Sequence, residues 1–307
     1  MTNTVAKLSK SVREYKRDAI FTPILVVAEV AMDVVIPMLI SHLIDFGITP
    51  GDMDYIYKVG FQLVFACLAA LALGVLSGRF AAKASAGFAK NLRKDMYYNV
   101  QNFAFSNIDK FSTPSIITRM TTDVTNVQMS FQMMIRVAVR APIMLVSALF
   151  MAFRLGGKLA MVYLIVIPVL GFGLYFISIS VAKIFKRAFK RYDALNAAVQ
   201  ENVSGIRVVK SYVREDYEIE KFNAMSNEMR QDFTQAENRL ALNMPMMQLC
   251  IYGTMTAIFW FGSRFIMNGS MTTGNLMSLV TYTMQMLNSM MMLSMVFTMI
   301  VMSRASM

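Results

Sequence analysis

Six apolar stretches with few charges recur along the chain, at about residues 20–44, 56–76, 133–153, 159–182, 244–267 and 276–302. A helix of about 20 apolar residues spans the ~30 Å hydrocarbon layer of a bilayer, so the pattern predicts six transmembrane helices and an all-α polytopic membrane protein. The third stretch is the weakest, because Arg136 and Arg140 interrupt its start. The connections alternate in length. Residues 45–55, 154–158 and 268–274 form short loops carrying the Gly, Pro, Asn or Asp of tight turns. Residues 77–132 and 183–243 form two long connections of 56 and 61 residues.

The long connections lack strand alternation and hairpin turns, and their mix of Ala, Lys, Arg, Glu, Gln and Met favours helix. In the first, Phe88, Leu92, Met96, Val100 and Phe103 recur at spacings of three or four, a single helical stripe. In the second, Phe185, Phe189, Tyr192, Leu195, Val199 and Val203 predict the same. Ser112-Thr113-Pro114 breaks the first connection near its middle and Ser204-Gly205 loosens the second. Each connection is therefore expected to be a helical hairpin reaching ~35–40 Å from the membrane. Arms this long and narrow present their tips to another protein module.

Charge sets the expected orientation. Of the 30 lysines and arginines, 24 lie in the N-terminal segment, the two long connections and the C-terminal tail; the three short loops hold two. The positive-inside rule then puts the N-terminus, both hairpins and the C-terminus in the cytoplasm, in the inner or plasma membrane of the cell. A charged fraction of 16%, against about a quarter for soluble domains, a hydrophobic fraction of 56% and a mean hydropathy of +0.48 agree with a membrane protein. The net charge of +11 is explained by topology and calls for no nucleic-acid partner. Cys67 and Cys250 lie in apolar runs and His42 is the sole histidine, so neither a disulfide framework nor a metal site is expected. Residues 1–19 are polar and basic, a cytoplasmic segment without the apolar core of a signal peptide.

Charges at membrane depth are costly and face a cavity or a partner. Glu29 and Asp33 sit one turn apart on the first predicted span, near its middle, while Arg136 and Arg140 are likewise one turn apart on the third. Two readings stay open and compatible: a buried ion network, or a substrate cavity lined by Glu29, Asp33, Arg136 and Arg140. The 30 methionines, dense in the last span, supply flexible apolar packing able to adapt to varied ligands. Trp260 reads as an interfacial anchor.

Four segments carry a family resemblance. The first span, EVAMDVVIPMLISHLIDFGI, has a mid-helix proline and a terminal Ile-Asp-x-Gly-Ile. The first hairpin contains LRKDMYYNVQNFAFSNIDKFSTPSIITRMTTDVTNV, and the second QENVSGIRVVKSYVREDYEIEKF; the chain ends MSRAS. In this order and spacing they resemble the transmembrane domain of ATP-binding cassette (ABC) exporters of the six-helix, long-intracellular-loop type, over essentially the whole chain. The resemblance implies short coupling helices at the hairpin tips, Phe111, Ser112, Thr113 and Pro114 in the first and Ser211, Tyr212, Val213, Arg214, Glu215 and Asp216 in the second, docked on nucleotide-binding domains. It also implies a second transmembrane half, homologous or identical, and transport of hydrophobic or amphipathic, multidrug-like substrates by alternating access.

The pattern departs from the full family in one respect. A phosphate-cradling G-x-x-x-x-G-K-S/T motif is absent, since Gly156-Gly157-Lys158 is followed by Leu159, and so is Leu-Ser-Gly-Gly-Gln. ATP and magnesium are therefore expected on a nucleotide-binding domain outside this sequence, with no catalytic residue here. Residues 20–302 form the expected transmembrane domain and 303–307 the start of a linker, which favours a truncated chain over a half-transporter with a separate ATPase. A self-sufficient channel or secondary carrier is the competing class; the long arms without an attached module argue against it.

Overall fold

The computed structural model describes residues 10–103 and 113–303. Among them every element is helical. Seven long helices follow one another: α1 (Lys16–His42), α2 (Met53–Gln101), α3 (Val124–Gly156), α4 (Met161–Ser204), α5 (Glu215–Leu240), α6 (Asn243–Met267) and α7 (Thr273–Ser303). Each predicted span falls inside a long helix, except that residues 43–44 and 159–160 belong to the adjoining π-helical and 3-10 turns. At 49 residues α2 is about 73 Å long, more than twice the bilayer core, so the span and the first arm of its hairpin are a single helix.

The turns follow local chemistry. A π-helical turn, Leu43–Ile48, extends α1. Asp52 then caps α2 by accepting the Tyr55 N–H at 3.1 Å. The loop expected at residues 154–158 is shorter than predicted: α3 runs through Gly156, Gly157 turns the chain at φ 51°, and a single 3-10 turn leads into α4. Only a residue without a side chain takes that backbone conformation at no steric cost. Among the described residues, four helical stretches are long and apolar enough to cross a membrane: Lys10–Ile48, Met53–Gln101, Pro114–Ser204 and Glu215–Met267. The third, 91 residues long, contains both α3 and α4.

The chain forms two compact units, Met1–Val169 with Leu249–Met307, and Leu170–Gln248. The core of the first is built from Val30 and Val34 of α1, Met144, Ala148 and Ala152 of α3, Ile258 of α6, and Leu276, Leu279, Tyr282 and Met286 of α7. Ala148 and Ala152 are fully buried, and small residues on one face let helix backbones approach closely, the packing that serves in a membrane where no hydrophobic force acts between helices. Tyr163 closes this core, its hydroxyl lying 3.1 Å from the Leu279 carbonyl and 2.8 Å from Thr283 Oγ1. Near the N-terminus Val12 packs with Phe88 and Val127, and Gly87 gives up its side-chain space to the Tyr15 ring.

The second unit is an antiparallel pairing of α4 with α5. Its buried α4 residues include Val181, Ile184, Ala188 and Leu195. The predicted stripe holds at Leu195 and at Phe185, whose ring lies 6.1 Å from that of Phe233 on α5, and is corrected at Phe189, Tyr192, Val199 and Val203, which are exposed. The seam is polar where the sequence pattern looked for apolar residues. Arg187 Nε donates to Asp232 Oδ1 at 2.8 Å, Arg191 Nη1 lies 2.9 Å from Asp232 Oδ2, and Asn202 Nδ2 donates to Glu218 at 3.1 Å. Arg187 and Asp232 thereby shift the face that α4 turns toward α5 to one side of the predicted stripe. The Arg187 hydrogen bond also holds the buried Asp232 carboxyl below the usual carboxylate range and raises the guanidinium above its own ordinary value.

Candidate functional site

Three helices of the first unit bring a compact charge cluster together. Glu29 and Asp33 project from one face of α1, as their spacing predicts, and Arg140 of α3 forks between them. Its Nη1 pairs with Glu29 Oε1 and its Nη2 with Asp33 Oδ2 at 2.7 Å. The planar guanidinium suits this double engagement, since its donors diverge in a fixed fork. From α2, Ser77 Oγ donates to Glu29 Oε2 at 3.2 Å. Gly74, one turn away, leaves the space: a Cβ there would stand 3.2 Å from Glu29 Oε1. With both carboxyls counted as ionised, the triad of two carboxylates and one guanidinium has a formal charge of minus one.

Arg136 does not join. Its guanidinium lies against α2, where a Cβ on Gly78 would be 3.5 Å from Nη1, and among the described residues it forms no ion pair. The network read from the sequence therefore includes one of its two arginines. The reason is axial: the two arginines share a face of α3, but only Arg140 lies level with the α1 acids.

Sequence reasoning gave α7 a role through its methionines and passed over its polar residues. Gln285 Nε2 donates to the Asp33 carbonyl at 3.0 Å, Tyr282 Oη to the Val34 carbonyl at 2.7 Å, and Ser278 Oγ to the Pro37 carbonyl at 2.5 Å. Pro37 has no N–H, so the carbonyl four residues before it, that of Asp33, loses its helical partner; in a membrane such a group must find another. Gln285 supplies it, while its own Oε1 is buried without a hydrogen-bond partner among the described residues. The available signal was the proline, whose orphaned carbonyl demands a donor, together with the 4-and-3 spacing of Ser278, Tyr282 and Gln285.

At the second hairpin tip Gly205 ends α4, and the short helix Ile206–Ser211 follows. It lies just before most of the residues assigned to that tip: Ser211 is its last residue, residues 212–214 turn, and Glu215 and Asp216 open α5. Tyr212 and Val213 are 76% and 81% exposed, and Val213 holds φ 51°, strained for a β-branched residue. Arg214 lies over the Tyr217 ring at 5.8 Å and Lys210 pairs with Glu215 at 3.6 Å. A groove of about 430 Å³ beside the tip is lined by Val199, Val203, Ile206, Ile219 and Phe222. In the first hairpin Phe111 and Ser112 lie outside the described residues; Thr113 begins a short helix to Thr118, with Pro114 exposed. Residues 304–307 of the expected linker are also outside the described residues. Among the described residues no group of three or more His, Cys, Asp or Glu could hold a metal ion. Trp260 is exposed with Arg264 stacked on it at 5.7 Å.

Comparison with known proteins adds the family context. Residues 19–290 match the family model described as ABC transporter transmembrane region. The chain is 29% identical over 259 residues to the "Uncharacterized ABC transporter ATP-binding protein YfiB" of Bacillus subtilis (strain 168), covering 84% of this chain and 45% of that protein. It is 29% identical over 309 aligned positions to the "Uncharacterized ABC transporter ATP-binding protein Rv1273c" of Mycobacterium tuberculosis (strain ATCC 25618 / H37Rv), covering 98% and 52%. With the "Putative export ATP-binding/permease protein RT0691" of Rickettsia typhi (strain ATCC VR-144 / Wilmington) the identity is 24% over 282 residues, covering 90% and 48%. The chain thus spans about half the length of the curated relatives it matches.

Proposed function

The chain belongs to the ABC transporter transmembrane-region family, and from that premise we propose that it is the membrane-spanning half of an ATP-driven exporter. It crosses the cell membrane six times, by α1, α2, α3, α4, α6 and α7, with both hairpins in the cytoplasm, and works paired with a second transmembrane half. ATP and magnesium bind on nucleotide-binding domains that belong to the rest of the transporter. The reading is supported by relatives whose names pair ATP-binding with export or permease and by the exposed aromatic and apolar side chains of the 212–214 tip.

Coupling runs through the tips. Nucleotide binding and hydrolysis draw the nucleotide-binding domains together and apart, and a stiff helix continuous from tip to membrane transmits that displacement. The two access states are biased only as far as nucleotide and substrate bind them unequally.

The substrates are hydrophobic or amphipathic molecules, and the observation that carries their class is the triad of Glu29, Asp33 and Arg140. One residual negative charge among methionine-rich apolar surfaces favours an amphipathic cation over an anion. The test uses the full transporter in proteoliposomes, with a cationic dye and a neutral analogue of similar size. Glu29→Gln and Asp33→Asn, tested singly so that one carboxylate stays with Arg140, are expected to cut transport of the cation at least fivefold and leave the neutral dye unchanged. Equal loss for both dyes at normal yield would reject charge selection. Tyr212→Ala is expected to keep membrane insertion and lose substrate-stimulated ATP hydrolysis, since a buried interface aromatic commonly contributes ~2 kcal/mol or more; unchanged coupling would reject the tip assignment.

A further inference from the structure

The contacts between α1 and α7 are of two kinds, divided at Pro37. On the N-terminal side of the proline, at membrane depth, Tyr282 and Gln285 hold the backbone carbonyls of Val34 and Asp33. Parting Gln285 would leave the Asp33 carbonyl, which Pro37 deprives of its helical N–H, bare in a medium without water, and parting Tyr282 would strand its fully buried hydroxyl, so this region is the durable one. Beyond the proline the partners differ. Asp45 Oδ1 accepts the Gly274 N–H at 2.8 Å, which puts a carboxylate on the first turn of α7, where helix N–H groups lack internal partners. The Ser41 hydroxyl lies 3.3 Å from Asp45 Oδ2 and 3.0 Å from Asn275 Oδ1. Asp45 and Asn275 are half-buried and Ser41 and Gly274 are buried between them; because these groups stand at the helix ends and not at membrane depth, water can replace each partner once the contact parts.

Packing marks the same place. A Cβ on Gly274 would overlap the Ser41 carbonyl oxygen and stand 2.6 Å from Asp45 Oδ2, so the backbones themselves touch there. Two features let the end of α1 move on its own. Pro37 removes a helical hydrogen bond in the last third of α1, and the π-helical turn Leu43–Ile48 loosens the ladder between the proline and the loop.

We propose that the Asp45–Gly274 and Ser41–Asn275 contacts form a releasable clasp that shuts the outer end of the bundle, swinging about Pro37 while Tyr282 and Gln285 stay engaged as its anchor. This rests on the exporter reading above, which makes that end extracellular and requires it to open once per cycle. The clasp is closed in the structure described here. Release exchanges each of its contacts for water, whereas the anchor has no such exchange available.

The experiment introduces cysteines at Ser41 and Asn275 of the full transporter, with Cys67 and Cys250 replaced by Ala, in proteoliposomes. Oxidation is expected to form the disulfide readily without nucleotide and at least fivefold more slowly in the ATP- and vanadate-trapped state. Once formed, it is expected to lower transport at least tenfold, with recovery on reduction. Equal crosslinking in both states, no crosslinking without nucleotide, or full transport while crosslinked would each overturn the clasp. A protein with its native Ser41 and Asn275 that shows no ATP-dependent transport would instead overturn the exporter reading, while the nucleotide dependence of crosslinking still judges the clasp. As a second variant, Asp45→Ala is combined with a single cysteine at Ser278, which is buried against the Pro37 carbonyl. Labelling of that cysteine by a small impermeant reagent from outside is expected to quicken at least threefold over the same cysteine with Asp45 intact; an unchanged rate overturns the proposal.

Discussion

The Gln285 side-chain amide donates to the Asp33 backbone carbonyl at 3.0 Å, the one carbonyl of that turn which Pro37 deprives of its helical N–H. A defect in one helix and a donor in another, more than 250 residues later, form a matched pair. The same turn of α1 carries the Asp33 carboxylate to Arg140. Backbone repair and charge pairing thus hold a single point of the bundle from two sides.

That match predicts a rescue. Gln285→Leu leaves the Asp33 carbonyl without a donor, and a buried backbone acceptor lacking a partner costs about 1–3 kcal/mol. Adding Pro37→Ala restores an N–H four residues on, so the double variant is expected to unfold at a higher temperature than Gln285→Leu alone. Thermal unfolding in detergent reads this; additive losses would refute the pairing.

Arg140 neutralises part of two carboxylates. Arg140→Met is expected to depress yield and stability, by about 3–5 kcal/mol, because it leaves both acids unpaired at membrane depth. Combining it with Glu29→Gln and Asp33→Asn is expected to recover most of the loss. Arg136→Met, which breaks no ion pair among the described residues, is expected to cost far less in the same assay.

Two glycines of α2 are expected to respond in opposite directions. At Gly60 a Cβ meets nothing within 4 Å, so Gly60→Ala is expected to stabilise by about 0.5–1 kcal/mol through reduced chain entropy. At Gly87 a Cβ would fall on the Tyr15 ring, so Gly87→Ala is expected to displace the N-terminal segment. Faster proteolysis before Lys16 would register that displacement, with Tyr15→Ala restoring resistance to further loss from the glycine change.

Asp232 gives the second unit a pH dependence of known sign. Its folded carboxyl is held below the usual range, first by the Arg187 hydrogen bond. A depressed carboxylate contributes stability that is complete above the unfolded value of about 3.9 and is lost as pH falls toward the folded one. Asp232→Asn is expected to flatten the acid limb of the stability profile below about pH 4 and to lower stability at neutral pH. An unchanged acid limb would show that the seam carries no such linkage.

The sequence by itself determined the helices, their turns and which residues share a helical face, because apolar periodicity and glycine or proline placement act within a few residues. The six apolar stretches and the pairing of Glu29 with Asp33 on one face of α1 were legible on that ground, and so was the first-hairpin stripe where it starts at the buried Phe88, although Leu92, Met96, Val100 and Phe103 are only half-buried. Rotation and axial offset between helices were not. Arg136 and Arg140 are equivalent by spacing, and only the depth at which α3 packs on α1 selects Arg140. On α4 the apolar stripe was right at Phe185 and Leu195, yet the ion pairs of Arg187 and Arg191 with Asp232 shifted the face turned to α5, leaving Phe189, Tyr192, Val199 and Val203 exposed. Gln285 looked like one more polar residue in a methionine-rich span, and its role arises only where α7 lies against the carbonyl that Pro37 sets free. Local pattern fixes a helix and its faces, while the partner of each face is decided by close packing and by the need to satisfy every polar group away from water.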